Sequence, residues 1–569
     1  MPSDIRGNVM IYKAYLRNSL DTVFYNSDIS ADNLEYTSML KNECFSFQVS
    51  FTAELEPGEG NGWNDVVEIR AEVSSEIKDK ISVYIMDNVP VMRIGYSTAD
   101  DWFLRKDPGL YPDYLSERKN NFFSVPTGYW KNIWFNVNEE LEELYPKEYK
   151  ISIKFYDRKT NELAAENELT INVLDVNLPK QSIIATNWMH YDCIAHFSNT
   201  KPFSKKFFEA AESYIRLAAK NGQNMILTPA FTPPLDTPVG EERATAQLVG
   251  VERKNGKYIF DFSLLKKFIE LALKCKIEYF EHSHLFTQWG AKNAPKIIVR
   301  VDGKNKKLFG WHTDAASDEY KNFLHEYLTE LKVFLKDNGY EKRFFFHISD
   351  EPIREHLESD GPASSFMHKE LEDYPSGDAL SDYEFYENGL VQTPIVVTRR
   401  IKDFLGRAKP LWLYYTGYEC DENMSNRVIG MPQVRGRILG TQLYYFNIDG
   451  FLQWGFNAHH NRLSRLMTDP RISSDMDGDF TGGTSYLVYP NGKKAEPSLR
   501  LMTFRDQMQD TRAFKLLETL TDREYVCGII KKHIPDISFN CRVTAEQMLD
   551  LRNEINLKIK AVQGEKNEL

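Results

Sequence analysis

The sequence predicts an α+β multidomain protein: an N-terminal antiparallel β-sandwich, then a (β/α)8 TIM-like barrel, then a helical C-terminal tail. Three observations carry this. Residues 1 to about 178 alternate apolar and polar positions with period two. From Ser182 the pattern changes to short apolar runs separated by 3.6-residue stripes, repeated about eight times, as in a closed parallel barrel. The 569 residues are too many for a single hydrophobic core, so two or three domains are expected, placed at 1–178, 179–518 and 519–569.

In the first part the alternation runs through Phe45, Phe47, Val49 and Phe51, then Ile81, Val83 and Ile85, then Ile133, Phe135 and Val137. Tyr149, Ile151, Ile153 and Phe155 repeat it, as do Leu169, Ile171 and Val173, which predicts sheets with one wet face. Pro179 marks the junction. Barrel strands are expected at 183–188, 225–228, 277–285, 344–346, 380–385, 411–415, 450–454 and 485–488. Helices are expected from Ser204 to Gly222, after Asp261 as N-cap, over 318–338 with Gly339 closing it, and over 396–405, 434–445 and 498–518. Residues 237–260 read as an inserted hairpin, and Thr544 with Gln547 matches a capping box in the tail.

A net charge of −12 and a pI near 5.6 argue against a nucleic-acid or anionic-membrane partner. The 6 Cys are scattered without a CxxC pair, so neither a disulfide framework nor a zinc site is signalled. Met1 to Leu20 has no apolar h-region and no stretch reaches a membrane span. A soluble, leaderless protein of the bacterial cytoplasm is expected, with prior removal of a signal peptide and the oligomeric state left open.

The chemistry centres on Phe344-Phe345-Phe346-His347-Ile348-Ser349-Asp350-Glu351-Pro352, a buried strand stopping on two acids. Burying adjacent carboxylates costs several kcal/mol unless compensated, so such a strand end is seldom there for stability alone, although a salt-bridged structural pair is the plain alternative. Barrel enzymes collect their reactive groups at C-terminal strand ends. Read this way, sugar-contacting positions are Trp188, His190, Asn224, His284, Trp289, His347, Tyr414, Tyr415, Tyr445, Asn447 and Trp454. Aromatic faces beside amides and acids suit a pyranose, which has an apolar face and a rim of hydroxyls. No HExxH spacing supports a metal, and neither a metal nor a cofactor is expected. Asp382 and Glu384 read as a supporting or hydroxyl-binding pair.

Adjacent acids reach a sugar from nearly one side, which fits poorly with two carboxylates flanking the scissile bond. They fit substrate-assisted hydrolysis, in which the sugar's own 2-acetamido oxygen attacks the anomeric carbon. Asp350 would orient the acetamido group and Glu351 would be the acid/base.

The motif His347-Ile348-Ser349-Asp350-Glu351-Pro352 behind a β-sandwich resembles glycoside hydrolase family 123. So do Leu411-Trp412-Leu413-Tyr414-Tyr415, Phe451 to Asn457, and the late helix with Arg505-Asp506 and Asp510, although Gln507 stands where the family usually has Gly. The resemblance implies a retaining exo-β-N-acetylgalactosaminidase acting on oligosaccharide or glycosphingolipid-type glycans, with Asp350 as acetamido stabiliser and Glu351 as acid/base. Two alternatives stay open: a glycosidase with Glu281 or Glu384 as covalent nucleophile, and a non-catalytic glycan-binding protein.

Overall fold

The structure, a computed structural model, describes residues 10–31, 34–56, 66–288, 291–349 and 365–567. Two five-stranded sheets form the N-terminal part. One orders Met10–Asn18, Phe45–Leu55, Lys131–Val137, Ile81–Val91 and Gly109–Ser116; the other orders Tyr36–Leu40, Leu163–Leu174, Glu148–Asp157, Val66–Ser74 and Phe122–Pro126. Neighbours run antiparallel except Tyr36–Leu40, which pairs parallel with Thr170–Leu174. The period-two apolar residues meet between the sheets, where Phe47 stacks on Phe135 with centroids 4.8 Å apart.

The expected wet face is not wet on the first sheet. Ser46, Gln48, Ser50 and Thr52 are buried, because this face lies against the rest of the molecule. Their polarity is matched by hydrogen bonds: the Ser46 and Ser50 hydroxyls donate to Asn136 and Asn132 at 2.7 Å, and Gln48 donates to the carbonyls of Asn18 and Asp21. A polar stripe marks an interface as readily as a solvent face when its donors find partners.

The second part is built on eight parallel strands: β1 (Ile184–Asn187), β2 (Met225–Thr228), β3 (Tyr279–His282), β4 (Phe344–His347), β5 (Ser376–Leu380), β6 (Thr393–Val397), β7 (Trp412–Tyr414) and β8 (Gly450–Gln453). Each pairs with the next in sequence from β2 to β8, and β8 pairs with β1, leaving one seam between β1 and β2. Asn224, just before β2, fastens that seam. Its side-chain oxygen accepts from the Ala185 N–H at 2.8 Å, its amide donates to the Ile183 carbonyl at 3.0 Å, and its own backbone N–H reaches the Ala185 carbonyl. The result is a nearly closed parallel barrel.

Several expected elements are displaced. Residues 396 and 397, read as the start of a helix over 396–405, instead end β6; the run Ile395-Val396-Val397 is β-branched and wholly buried, which favours a strand. Residues 485–488, read as the eighth strand, lie outside the barrel; Val488–Asn491 instead pairs with Lys494–Pro497 in a separate hairpin. The fifth strand lies earlier, at 376–380, and Tyr383–Glu387 is a short helix. Residues 250–261 do form a hairpin, joined by an unforeseen second one at 297–309 into a four-stranded sheet. Asp261 is not the N-cap; Phe262 is, and Asp261 accepts from the Ser263 N–H. Helix Asp318–Asp337 agrees with its prediction, capped by Ser317 and followed by Gly339 at a φ of 70°.

The helix Leu499–Leu520 joins the two parts. Arg505 reaches Ser46, and the Gln509 amide bonds the Cys44 backbone in both directions. Asp510 takes Arg437 and Arg552, while Arg552 also bonds Glu43 at 2.6 Å. The tail is therefore docked: Arg523–His533 and Ala545–Asn567 share a core with the helices 433–445 and 499–520. Thr544 and Gln547 cap each other reciprocally as expected. The departure at Gln507 has a structural counterpart. A methyl on Gly440 would collide with the Gln507 carbonyl, so the close approach of the two helices draws on a glycine of the opposite helix.

No helix among the described residues is long and apolar enough to cross a membrane.

Candidate functional site

A cavity of about 420 Å³ opens at the C-terminal ends of the barrel strands. Trp188, His190, Tyr414, Leu452, Trp454 and Phe480 are part of its wall. Beneath it lies a fully buried polar cluster. Both oxygens of Glu281, on β3, accept from the Trp188 indole at 2.9 and 3.0 Å; the Thr186 hydroxyl donates at 3.2 Å. His347 Nδ1, at the end of β4, is 3.0 Å from Glu281. On the other side of that strand end, Asp378 Oδ1 accepts the backbone N–H groups of Ile348 at 3.1 Å and Ser349 at 2.6 Å and lies 3.8 Å from His347 Nε2. Two acids thus clamp the chain directly before Asp350. Asp350 and Glu351 lie outside the described residues, as does Trp289.

The expected contact residues separate into two groups. Trp188, His190, Tyr414 and Trp454 line the cavity, while His284 and His347 lie fully buried below it, packed against Trp188. Neither ring nitrogen of His284 has a partner among the described residues; burial and the adjacent His347 hold it well below the usual histidine range, so it is a neutral imidazole. His190 is pushed down to about 3 by burial and by Arg243. Because arginine only donates, His190 Nδ1 accepts from Arg243 at 2.9 Å and Nε2 donates to the Trp454 carbonyl at 2.9 Å. Both nitrogens are occupied, so His190 positions Trp454 rather than meeting a ligand through its ring nitrogens.

The remaining residues do not reach the cavity. Asn224 is at the opposite end of its strand, with its amide engaged at the seam. Tyr445 ends the helix 433–445 and Asn447 follows it, both preceding β8 and hence at the opposite end of the barrel. Tyr415 points outward onto Phe451, on the side of the helix 499–520. Successive residues of a strand face opposite ways, so Tyr414 and Tyr415 could not both face inward.

Other groups carry no sequence motif. Asp236 and Glu419 line the cavity, and burial raises both carboxyl groups above their usual range. Glu419 accepts from the Thr416 backbone and hydroxyl, and Asp236 from the Leu463 N–H. Arg427, fully buried, donates to Asn187 at 2.6 Å and to Gln453 and Gly455, tying the ends of β1 and β8 together. Burial lowers it to about 9. Asp378 had a faint signal, an acid inside the buried run Ser376-Gly377-Asp378-Ala379-Leu380. Arg427 lies in a loop without periodicity and had none.

One donor set could hold a metal among the described residues: Asp192, Cys193 and His460 bring atoms within 4.8 Å of one another. Asp192 is already in a two-point ion pair with Arg243, and burial keeps the Cys193 thiol protonated. A cation there would meet the guanidinium, so the set does not suit one.

The family model for the glycoside hydrolase 123 catalytic domain matches residues 188–517. Among solved structures, a family 123 glycoside hydrolase from Clostridium perfringens, described in terms of glycolipid glycan hydrolysis, superposes with a TM-score of 0.72 at 14% identity, covering 98% of this chain and 99% of that one. A β-glucuronidase of Bacteroides uniformis (TM-score 0.29, 10% identity, 85% and 48% coverage) and a family 39 glycoside hydrolase of Bacteroides cellulosilyticus (0.31, 8%, 84% and 82%) are too distant to bear on the fold. A search of curated protein sequences gave no match.

Proposed function

The chain belongs to the glycoside hydrolase 123 family, and from that premise we propose that this hydrolase removes a non-reducing terminal β-linked N-acetylgalactosamine with retention, by substrate-assisted catalysis through an oxazolinium. The nearly closed parallel sheet with its helices is taken as a (β/α)8 catalytic barrel near 179–518, behind a sandwich ending near 178 and before a helical extension. The observation that carries the proposal is the clamp at the end of β4. Asp378 and Glu281 fix the residues directly before the Asp350-Glu351 pair, beside a cavity walled by Trp188, Trp454 and Tyr414.

In this mechanism Asp350 accepts the acetamido N–H and stabilises positive charge as the acetamido oxygen closes on the anomeric carbon. Glu351 protonates the departing oxygen, then takes a proton from the water that opens the oxazolinium. The aromatic wall covers the apolar face of the sugar, while Asp236 and Glu419 are placed for its hydroxyls. A covalent nucleophile on β3 is disfavoured, since both oxygens of Glu281 are engaged beneath Trp188. Glu384 lies on the helix 383–387 and is not part of the cavity wall.

The test is hydrolysis of an aryl β-N-acetylgalactosaminide beside the matching β-galactoside, with and without the thiazoline mimic of the oxazoline. Cleavage of the acetamido sugar alone, blocked by the thiazoline, is expected. Cleavage of both, insensitive to the thiazoline, would overturn the mechanism, and cleavage of neither would favour a glycan-binding role.

A further inference from the structure

One part of the cavity wall comes from the N-terminal part of the chain. Tyr96 lies in the loop after Ile81–Val91, and its ring stacks on Tyr418 with centroids 4.4 Å apart and planes 10° apart. Tyr418 is 58% exposed, whereas Trp188 and Tyr414 in the same cavity are 3% and 6% exposed. Burial therefore grades the cavity from a deep aromatic wall to an open aromatic rim. The guanidinium of Arg93 lies 5.3 Å from the Tyr96 centroid.

This rim is fastened. Asp100 binds Arg435 through both oxygens at 2.8 and 2.9 Å, and also accepts from the Asn423 N–H. The Met92 and Arg93 N–H groups donate to Asp475, and the Leu104 N–H donates to the Gly430 carbonyl. On the barrel side Arg399 holds Asp421 and reaches the Tyr418 carbonyl. Tyr418 is exposed with the half-buried Tyr96 behind it, and anchors on both loops hold the two rings there. A rigid, solvent-open aromatic face beside a sugar-sized cavity suits the C–H face of another pyranose.

We propose that the Tyr96–Tyr418 stack is an aglycone subsite, which takes the second hexopyranose of an oligosaccharide whose terminal sugar occupies the deep cavity. The inference rests on the glycosidase reading above and extends it: the loop from the N-terminal sheets is a specificity element, and the preferred substrate is a glycan chain rather than an isolated glycoside. Tyr418 touches the leaving sugar through its open face, and Tyr96, held between Tyr418 and Arg93, backs that ring; neither meets the reacting atoms, so both act on the capture of long substrates.

The experiment compares wild type with Tyr418→Ala, Tyr96→Ala and Tyr418→Phe. Two quantities are measured: kcat/KM on a free oligosaccharide ending in β-N-acetylgalactosamine, and the inhibition constant of the thiazoline, which fills only the terminal-sugar site. Loss of the open stacking face should lower kcat/KM by about 2- to 12-fold in Tyr418→Ala, and Tyr96→Ala, which removes only the ring behind it, should lower it less. The thiazoline constant should stay unchanged, and Tyr418→Phe should retain wild-type kcat/KM because it keeps the ring. An unchanged kcat/KM in both alanine variants would overturn the subsite, as would equal losses in both quantities, which would make the stack a support for the deep cavity. A wild type that neither cleaves the oligosaccharide nor binds the thiazoline would refute the underlying function instead.

Discussion

Replacing Glu281 with alanine leaves three donors without their acceptor in a site closed to solvent. The Trp188 indole N–H and the His347 ring are fixed by packing, whereas the Thr186 hydroxyl can rotate elsewhere. At about 1–3 kcal/mol for each orphaned buried donor, the two fixed groups put the loss at about 2–6 kcal/mol. Relief from burying a carboxylate offsets part of this, as does any water that enters the vacated space, so a net loss near the lower end is expected. Glu281→Gln should lose less, because its amide keeps one acceptor oxygen and donates to His347 in the other tautomer. The assay is equilibrium urea unfolding of wild type, Glu281→Ala, Trp188→Phe and the double variant, read by circular dichroism. Since Trp188→Phe removes one donor, Glu281→Ala should cost about 1–3 kcal/mol less in that background. A coupling below about 0.5 kcal/mol would refute the argument and leave Trp188 held by packing alone.

Four further outcomes follow from the geometry. Glu351→Gln should lose most turnover on substrates with poor leaving groups and less on activated aryl glycosides, whereas Asp350→Asn should lose both; equal losses throughout would break that division of roles. Asp510→Ala leaves Arg437 and Arg552 buried without their shared acid and should cost about 3–5 kcal/mol, seen as a lower urea midpoint. Gly440→Ala should cost about 1–3 kcal/mol by forcing the helices 433–445 and 499–520 apart, measured in the same way. Stability should fall between pH 7 and pH 5. Burial lowers His190 and His459 to about 3, His282 to about 4 and His284 well below its usual range, so below about 6.5 the unfolded chain takes up protons that the folded one refuses. Each such histidine contributes a slope of about 1.4 kcal/mol per pH unit in that window. Asp236 and Glu419, raised by burial, act in the opposite sense but are outnumbered. A urea midpoint equal at both pH values would contradict this.

Those parts of the fold whose side-chain period matched their burial were readable from the chain. The stripe on 318–337 and the alternation through Glu148–Asp157 located their elements because one face of each meets apolar neighbours. Short strands buried on both faces have no period to read, which is why β6 is missed, with only its last two residues falling in an expected helix, and a strand is misplaced onto 485–488. At the site, the aromatic strand ends Trp188, Tyr414 and Trp454 were visible because barrel geometry fixes which end of a strand opens to the cavity. Asn224, Tyr445 and Asn447 were misplaced although the elements beside them were bounded closely: each precedes its strand and so stands at the end of the barrel away from the cavity. Tyr96 could not be foreseen, since its contact with Tyr418 joins positions more than three hundred residues apart.

That long reach has a consequence for synthesis. Glu43 lies at the edge of the first sheet region, 7% exposed on its side chain, and its cationic partner Arg552 comes 509 residues later. At about 5–20 residues per second, a ribosome takes between about 25 and 100 s to deliver it. Until then the acid must remain hydrated, so the face of the N-terminal sheets that receives the closing helices stays unsealed while the barrel strands emerge. Order of translation and order of completion are thus opposed: the segment made first is among the last to be finished.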